Sequence, residues 1–256
     1  METDRVNVSA QTYATEILRL LGSVTESSRT EIEAAARLFA DCVKANGVVQ
    51  AFGTGHSQAV ALEIAGRAGG LIPTNRIGLA DLVIIGGEDP AVLDDPMLER
   101  QADVAPRLFE LAAPQPGDLF VIASNSGVNG SIVEMAQLAT SRGHKLVGIT
   151  SLAHTRQSTP KHESGKRLLD FADVTLDTGA PYGDAILELP EGLTACAVSS
   201  VTAAVIVQMV VAETVRILVD EGISPPVYVS SNVPGGHDRN LGLEKEYAGR
   251  IRRMAY

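Results

Sequence analysis

Apolar residues recur at helical spacing from Thr12 to Leu21, and the run stops at Gly22. Ser28-Arg29-Thr30-Glu31 then has the form of a capping box, opening a second helix through Ile32, Leu38, Phe39 and Val43 to Asn46-Gly47. The two predict an antiparallel helical pair, an N-terminal extension over residues 1–46 ahead of a main domain over 47–256, together one structural unit. After Gly47 the pattern changes to strand, Gly-rich loop and helix. Val48 to Phe52 runs into Gly53-Thr54-Gly55-His56-Ser57 and a helix-like stretch to Ala68. Leu119 to Ala123 runs into Ser124-Asn125-Ser126-Gly127 and a helix from Ser131 to Ser141, followed by a strand from Lys145 to Ile149. Further strands are predicted at Leu82 to Ile85, Val174 to Leu176 and Val227 to Val229. Such a succession predicts an α/β fold with right-handed crossovers and a mostly parallel sheet covered by helices on both faces.

One stretch invites a different reading. From Gly192 to Ala212 there is no charged residue, about the length of a membrane span. It carries Thr194, Ser199, Ser200, Thr202 and Gln208, however, and a helix apolar all round is equally at home in a core or a subunit interface. The expectation is a buried helix and no membrane.

Composition narrows the function classes. Lys+Arg 21 against Asp+Glu 31 gives 21 − 31 = −10, and no basic cluster is denser than Gly165-Lys166-Arg167 or Arg250 to Arg253, which argues against nucleic acid as a partner. Aromatic residues are 4% of the chain, so the core must be built from Ala, Val, Ile and Leu. Cys42 and Cys196 stand alone, without ligand spacing, and read as buried small hydrophobes rather than a disulfide or a zinc site. Met1-Glu2-Thr3-Asp4 has neither the basic nor the apolar part of an export signal, and a cytoplasmic location is expected.

The chemistry is carried by the two loops, which both fall at the carboxyl ends of predicted strands, where open parallel sheets bind ligands. Gly53-Thr54-Gly55-His56-Ser57 lacks the third glycine of a dinucleotide fingerprint and the acidic ribose partner, and Gly165-Lys166 is followed by Arg167, not by the Ser or Thr of a phosphate-binding P-loop. What remains is a turn that offers backbone amides and the Ser57 hydroxyl at a helix start, competent to hold an anion, or else an ordinary strand-to-helix turn. Ser124-Asn125-Ser126-Gly127-Val128-Asn129-Gly130-Ser131 supplies five hydroxyl or amide side chains in eight residues, where capping alone needs one.

These loops, in this order and each after a strand, resemble the SIS (sugar isomerase) domain family. The resemblance extends through Glu63-Ile64, Arg67 to Leu71, Thr150 to His154, His162 to Leu168, Pro181 to Ala185 and Asn232 to Gly236, and is nearest to bacterial sugar isomerase domain-containing proteins. It implies a flavodoxin-like three-layer α/β/α domain that binds a phosphorylated sugar and assembles as a homo-oligomer, a dimer or tetramer. Phosphate and sugar contacts are then expected from Gly53, Thr54, Gly55 and Ser57 in the first loop and from Ser124, Asn125, Ser126, Gly127, Asn129 and Ser131 in the second. Asn129 departs from the Thr or Ser of several relatives. Ser199 and Ser200 read either as further sugar contacts or as hydroxyls bonded back to helix carbonyls.

Isomerisation through an enediol needs a base and an acid. Glu63, six residues and about 9 Å along a helix from Ser57, resembles the family's glutamate and is the expected base. His56, inside the first loop, is expected to open the sugar ring or polarise its carbonyl, while His154 and His162 read as loop histidines near the site's edge and His237 has no assigned role. No metal or cofactor is expected. An aldose–ketose isomerase, a sugar-phosphate etherase and a non-catalytic phosphosugar sensor all remain compatible with the resemblance.

Overall fold

In the computed structural model, which describes residues 8–253, five strands form one parallel sheet. Met1-Glu2-Thr3-Asp4 lies outside the described residues. The strands are β1 (Val49–Gly53), β2 (Thr74–Ile77), β3 (Leu119–Ala123), β4 (Lys145–Thr150) and β5 (Val174–Asp177), in the order β2-β1-β3-β4-β5. This flavodoxin-like order reverses direction between β1 and β3, which puts a crevice at their carboxyl ends.

Side-chain alternation along the strands assigns the layers. Val49, Ala51, Leu119, Val121 and Val147 face α2 (Arg29–Lys44), α3 (Gln58–Ile64) and the long helix α8 (Ser199–Asp220). Phe52, Phe120, Ile122 and Leu146 face α5 (Val104–Ala112) and α6 (Gly130–Ser141). Phe120 and Ile122 are fully buried, each contributing roughly 1.5–3 kcal/mol of transfer free energy. The small side chains of Ala35, Ala36, Ala40, Ala61 and Ala203 let α2, α3 and α8 approach closely.

The helical pair is present, as α1 (Ala10–Ser27) and α2, but only Ser28 separates them. Ser28 has φ −98° and ψ 10° and makes no side-chain cap bond, so the expected capping box does not form; its N–H instead extends the last turn of α1 by donating to the Val24 carbonyl. The first helix runs past Gly22 because Val24 is buried against the domain, which outweighs the helix cost of one glycine. α3 stops at Ile64, not Ala68, since Ala65 is already extended.

Four other expectations are corrected. Residues 82–85 are not a strand: Asp81–Ile84 is a helical turn, α4, whose buried Asp81 carboxylate accepts the Gly78 N–H. The strand lies before it, at β2, with side chains too polar to mark it as one. Val227 makes a single bridge to Leu71 in place of a strand. The uncharged stretch is not one helix either: β6 (Ala185–Glu188) and β7 (Thr194–Ala197) form a separate antiparallel hairpin, and α8 begins only at Ser199. Cys196 is exposed in that hairpin, while Cys42 is buried, which pushes its thiol up to about 12.

The helix α8 is long and apolar enough to cross a membrane by composition alone. Here it forms part of a layer, with Ile206, Val207, Val210 and Leu218 inside the core shared with the sheet. At the amino ends of β1 and β2, Val48 and Ile72 pack with Tyr228 and Tyr247, which flank α9 (Gly236–Glu244).

Candidate functional site

The register Gly53↔Ala123 places the two loops side by side at the switch in strand order. A Cβ at Gly53 would lie 2.5 Å from the Ser57 carbonyl oxygen, so a glycine is required for the chain to fold back into the short turn Gly55–Ser57. In the second loop the Ser124 hydroxyl oxygen accepts the Gly127 N–H at 3.1 Å, which closes the loop. The Asn125 carbonyl accepts from Ser151 N–H and from the Thr150 hydroxyl, both at 3.2 Å, and fixes the loop to the end of β4. α6 follows directly, with Asn129 as its N-cap residue.

Between the loops lies a narrow cleft lined by Ser57, Ser124, Asn125, Thr178, Ser199 and Ser200. It adjoins a cavity of about 590 Å³, which shares Ser57, Ser124 and Asn125 and adds Thr54, Gly55, His56, Ser126 and Asn129. The hydroxyls of Ser57, Ser126 and Ser200 bond to nothing among the described residues, leaving them open to a ligand. The cavity also takes in Glu99, Arg100, His154, Lys161 and Tyr182, of which only His154 was singled out from sequence. Lys161 and Arg100 bring two cations to a site expected to rely on neutral donors.

Several expected residues have other duties. Ser131 is fully buried, and its hydroxyl donates to the Glu99 carbonyl at 2.6 Å, away from the ligand. Ser199 lines the cleft and donates its backbone N–H and its hydroxyl to Asp184, at 2.8 and 2.7 Å, so Asp184 caps α8 and the Ser199 hydroxyl is not bonded back to a helix carbonyl; Thr202 makes that back-bond. Glu63 lines neither cleft nor cavity. Its carboxylate is bound by Arg67 one turn along and by Gln208 of α8 at 2.7 Å.

The histidines separate clearly. His56 is exposed on the first loop and lines the cavity. His154 sits on α7 (Leu152–Gln157), its ring 4.9 Å from that of Tyr182. Its Nδ1 accepts the Gly183 N–H at 3.2 Å and lies 3.5 Å from the Asn125 side-chain nitrogen. Burial holds its imidazole below the ordinary histidine value, with Asp184 opposing the shift and Lys161 adding to it. His154 is therefore neutral at pH 7 and carries its proton on Nε2. His162 is buried outside the cavity and ties its loop to α6 through Glu134 at 2.8 Å. His237 is at the start of α9, at the other end of the sheet. Among the described residues no three His, Cys, Asp or Glu side chains converge as metal ligands.

Comparison with known proteins agrees with this architecture. The SIS domain family model matches residues 12–151. A UPF0309 protein of Listeria monocytogenes is 38% identical over 242 residues, covering 94% of this chain and 97% of the relative. Phosphoheptose isomerase of Neisseria gonorrhoeae superposes with a TM-score of 0.53 at 17% identity, over 80% of this chain and 95% of that one. A phosphoheptose isomerase of Francisella tularensis gives a TM-score of 0.54, also at 17% identity, over 80% and 95% of the two chains. At such identities the structures speak for the fold, and the sequence matches speak for kinship: this chain belongs to the SIS domain family.

Proposed function

We propose that this protein binds a phosphorylated sugar across the two loops and isomerises it between aldose and ketose through an enediol. The observation that carries the reading is the convergence, on one cavity, of open serine hydroxyls, the loop that leads from β3 into α6 and groups able to move a proton. The phosphate is held by Ser57, Ser124 and Ser126, with Lys161 at the rim, and the sugar extends toward His56 and His154. Similar folds serve two phosphoheptose isomerases, which fits this chemistry.

The test is a thermal-shift screen of aldose, ketose and amino-sugar phosphates, followed by NMR of the best binder in D2O. The expected result is a raised melting temperature and exchange of the sugar's C2 proton with solvent, since an enediol forms only when that proton leaves. Tight binding with no exchange in any ligand overturns the isomerase and leaves a sensor.

We also propose that the protein is a homo-oligomer. Val201, Gln208, Ala212 and Val219 fall on one stripe of α8, spanning five turns; Val201, Ala212 and Val219 are exposed, as is Leu62 of α3. A second copy of the chain covers this stripe, and Glu63, bonded to Gln208, lies at the same face. Light scattering at micromolar concentration should give at least twice the 26.9 kDa of one chain. A monomer contradicts the assignment.

A further inference from the structure

The segment between α4 and α5 is fastened to the start of α6 by three consecutive residues. Asn129 donates its side-chain N–H to the Glu99 carboxylate at 3.2 Å, Ser131 donates its hydroxyl to the Glu99 carbonyl, and a Cβ at Gly130 would lie 2.2 Å from the Arg100 carbonyl oxygen. The result is a carboxylate locked against the phosphate loops: Glu99 Oε2 would be 3.0 Å from a Cβ at Gly55. A negative charge there opposes phosphate binding, so a carboxylate bonded by Asn129 on a backbone fastened to the start of α6 calls for a use in the chemistry. On the opposite loop, the two donors directed at Nδ1 of His154 leave Nε2–H as its free donor, and the Tyr182 ring fixes its plane.

Resting on the isomerase reading above, we infer that Glu99 is the base that moves the carbon-bound proton and that the Nε2–H of His154 polarises the sugar oxygens. Glu99 takes the proton from C2 of the aldose as the C2–H electron pair forms the C1=C2 bond. The carbonyl oxygen O1, hydrogen-bonded to Nε2–H, gains the proton that O2 gives up. The Glu99 carboxyl then returns its proton to C1, and the product is the ketose with all atoms accounted for. A neutral imidazole suits this role, because a hydrogen-bond donor matched to the enediol polarises the carbonyl without giving up its own proton. Glu63, outside the cavity and bound by Arg67 and Gln208, takes no part in the transfer.

The experiment measures deuterium exchange at C2 of glucose 6-phosphate and glucosamine 6-phosphate and at C1 of fructose 6-phosphate, with binding followed by calorimetry. Glu99→Gln should keep binding within a few-fold yet lose exchange by at least ~100-fold, the scale of a missing general base. Glu99→Asp, which keeps a carboxylate on a shorter arm, should retain more exchange than Glu99→Gln. His154→Gln, with an amide donor near the Nε2 position, should exchange faster than His154→Ala, and Glu63→Gln should exchange like the wild type. Full exchange in Glu99→Gln, or its loss in Glu63→Gln alone, overturns the assignment while the isomerase reading stands. Absence of exchange in the wild type with these three sugars and with the best binder of the thermal-shift screen overturns both.

Discussion

Replacing Asp118 with Ala should lower the free energy of unfolding by about 3–5 kcal/mol, the scale for removing one partner of a buried charged pair. Asp118 lies just before β3, and its side chain is 0% exposed. One carboxylate oxygen accepts the Val48 N–H at 2.8 Å and the Arg250 guanidinium at 2.5 Å; the other accepts the Gln50 amide and the Gln115 N–H, each at 3.0 Å. This one group therefore joins the amino ends of β1 and β3 to each other and to the C-terminal segment. Truncation leaves a buried backbone donor and a guanidinium without their acceptor. Urea denaturation should show the midpoint falling with an unchanged slope. A loss below about 1 kcal/mol would show that the neighbouring groups find other partners. Because the site lies at the carboxyl ends of the strands, phosphosugar affinity of the folded variant should not change.

The elements legible in the sequence were those whose patterning and burial agree. β1 and β3 are buried at every position and read as short apolar runs, and the loops after them combine glycines with hydroxyls, of which those of Ser57 and Ser126 have no partner among the described residues. β2 was missed because Thr74, Asn75 and Arg76 look like a loop. Its stability comes from far along the chain: the Asn75 side chain donates to the Arg250 carbonyl and accepts the Arg252 N–H, both at 2.7 Å. No local pattern announces a strand satisfied in this way. The start of α8 was hidden for a similar reason, since its cap is Asp184, fifteen residues upstream of Ser199.

The candidate site divides along the same line. Ser57, Ser124, Asn125 and Ser126 follow strands that the pattern places side by side, so their convergence was legible. Glu99, Lys161 and Tyr182 come from three irregular segments whose paths over the cavity depend on tertiary packing. Glu63 is a different case. It lies on α3, but on a face that the sequence alone does not settle, and its partner is Gln208, 145 residues on.

The affinity of the loops for phosphate carries the second large effect. Ser124 and Ser126 lie on the loop that leads from β3 into α6, and Ser126 has an open hydroxyl while Ser124, accepting from Gly127, still has its own proton to donate. A hydrogen bond to a charged oxygen is worth about 1.5–3 kcal/mol, so each lost hydroxyl should weaken binding roughly 10- to 100-fold. Ser124→Ala removes the acceptor of the Gly127 N–H, whereas Ser126→Ala removes a hydroxyl with no partner among the described residues, so the folding stability of the free protein should fall by no more than ~0.5–1.5 kcal/mol, the scale of one hydrogen bond.

The most direct measurement is calorimetric titration of the sugar phosphate that most raises the melting temperature, and of the same sugar without its phosphate, into the wild type and the Ser124→Ala/Ser126→Ala variant. The expected result is binding of the phosphorylated sugar alone by the wild type, and loss of at least ~100-fold in affinity in the doubly substituted protein. Equal affinity in the two proteins, or equal binding of the sugar with and without its phosphate, would contradict a phosphosugar site at the convergence of the two loops.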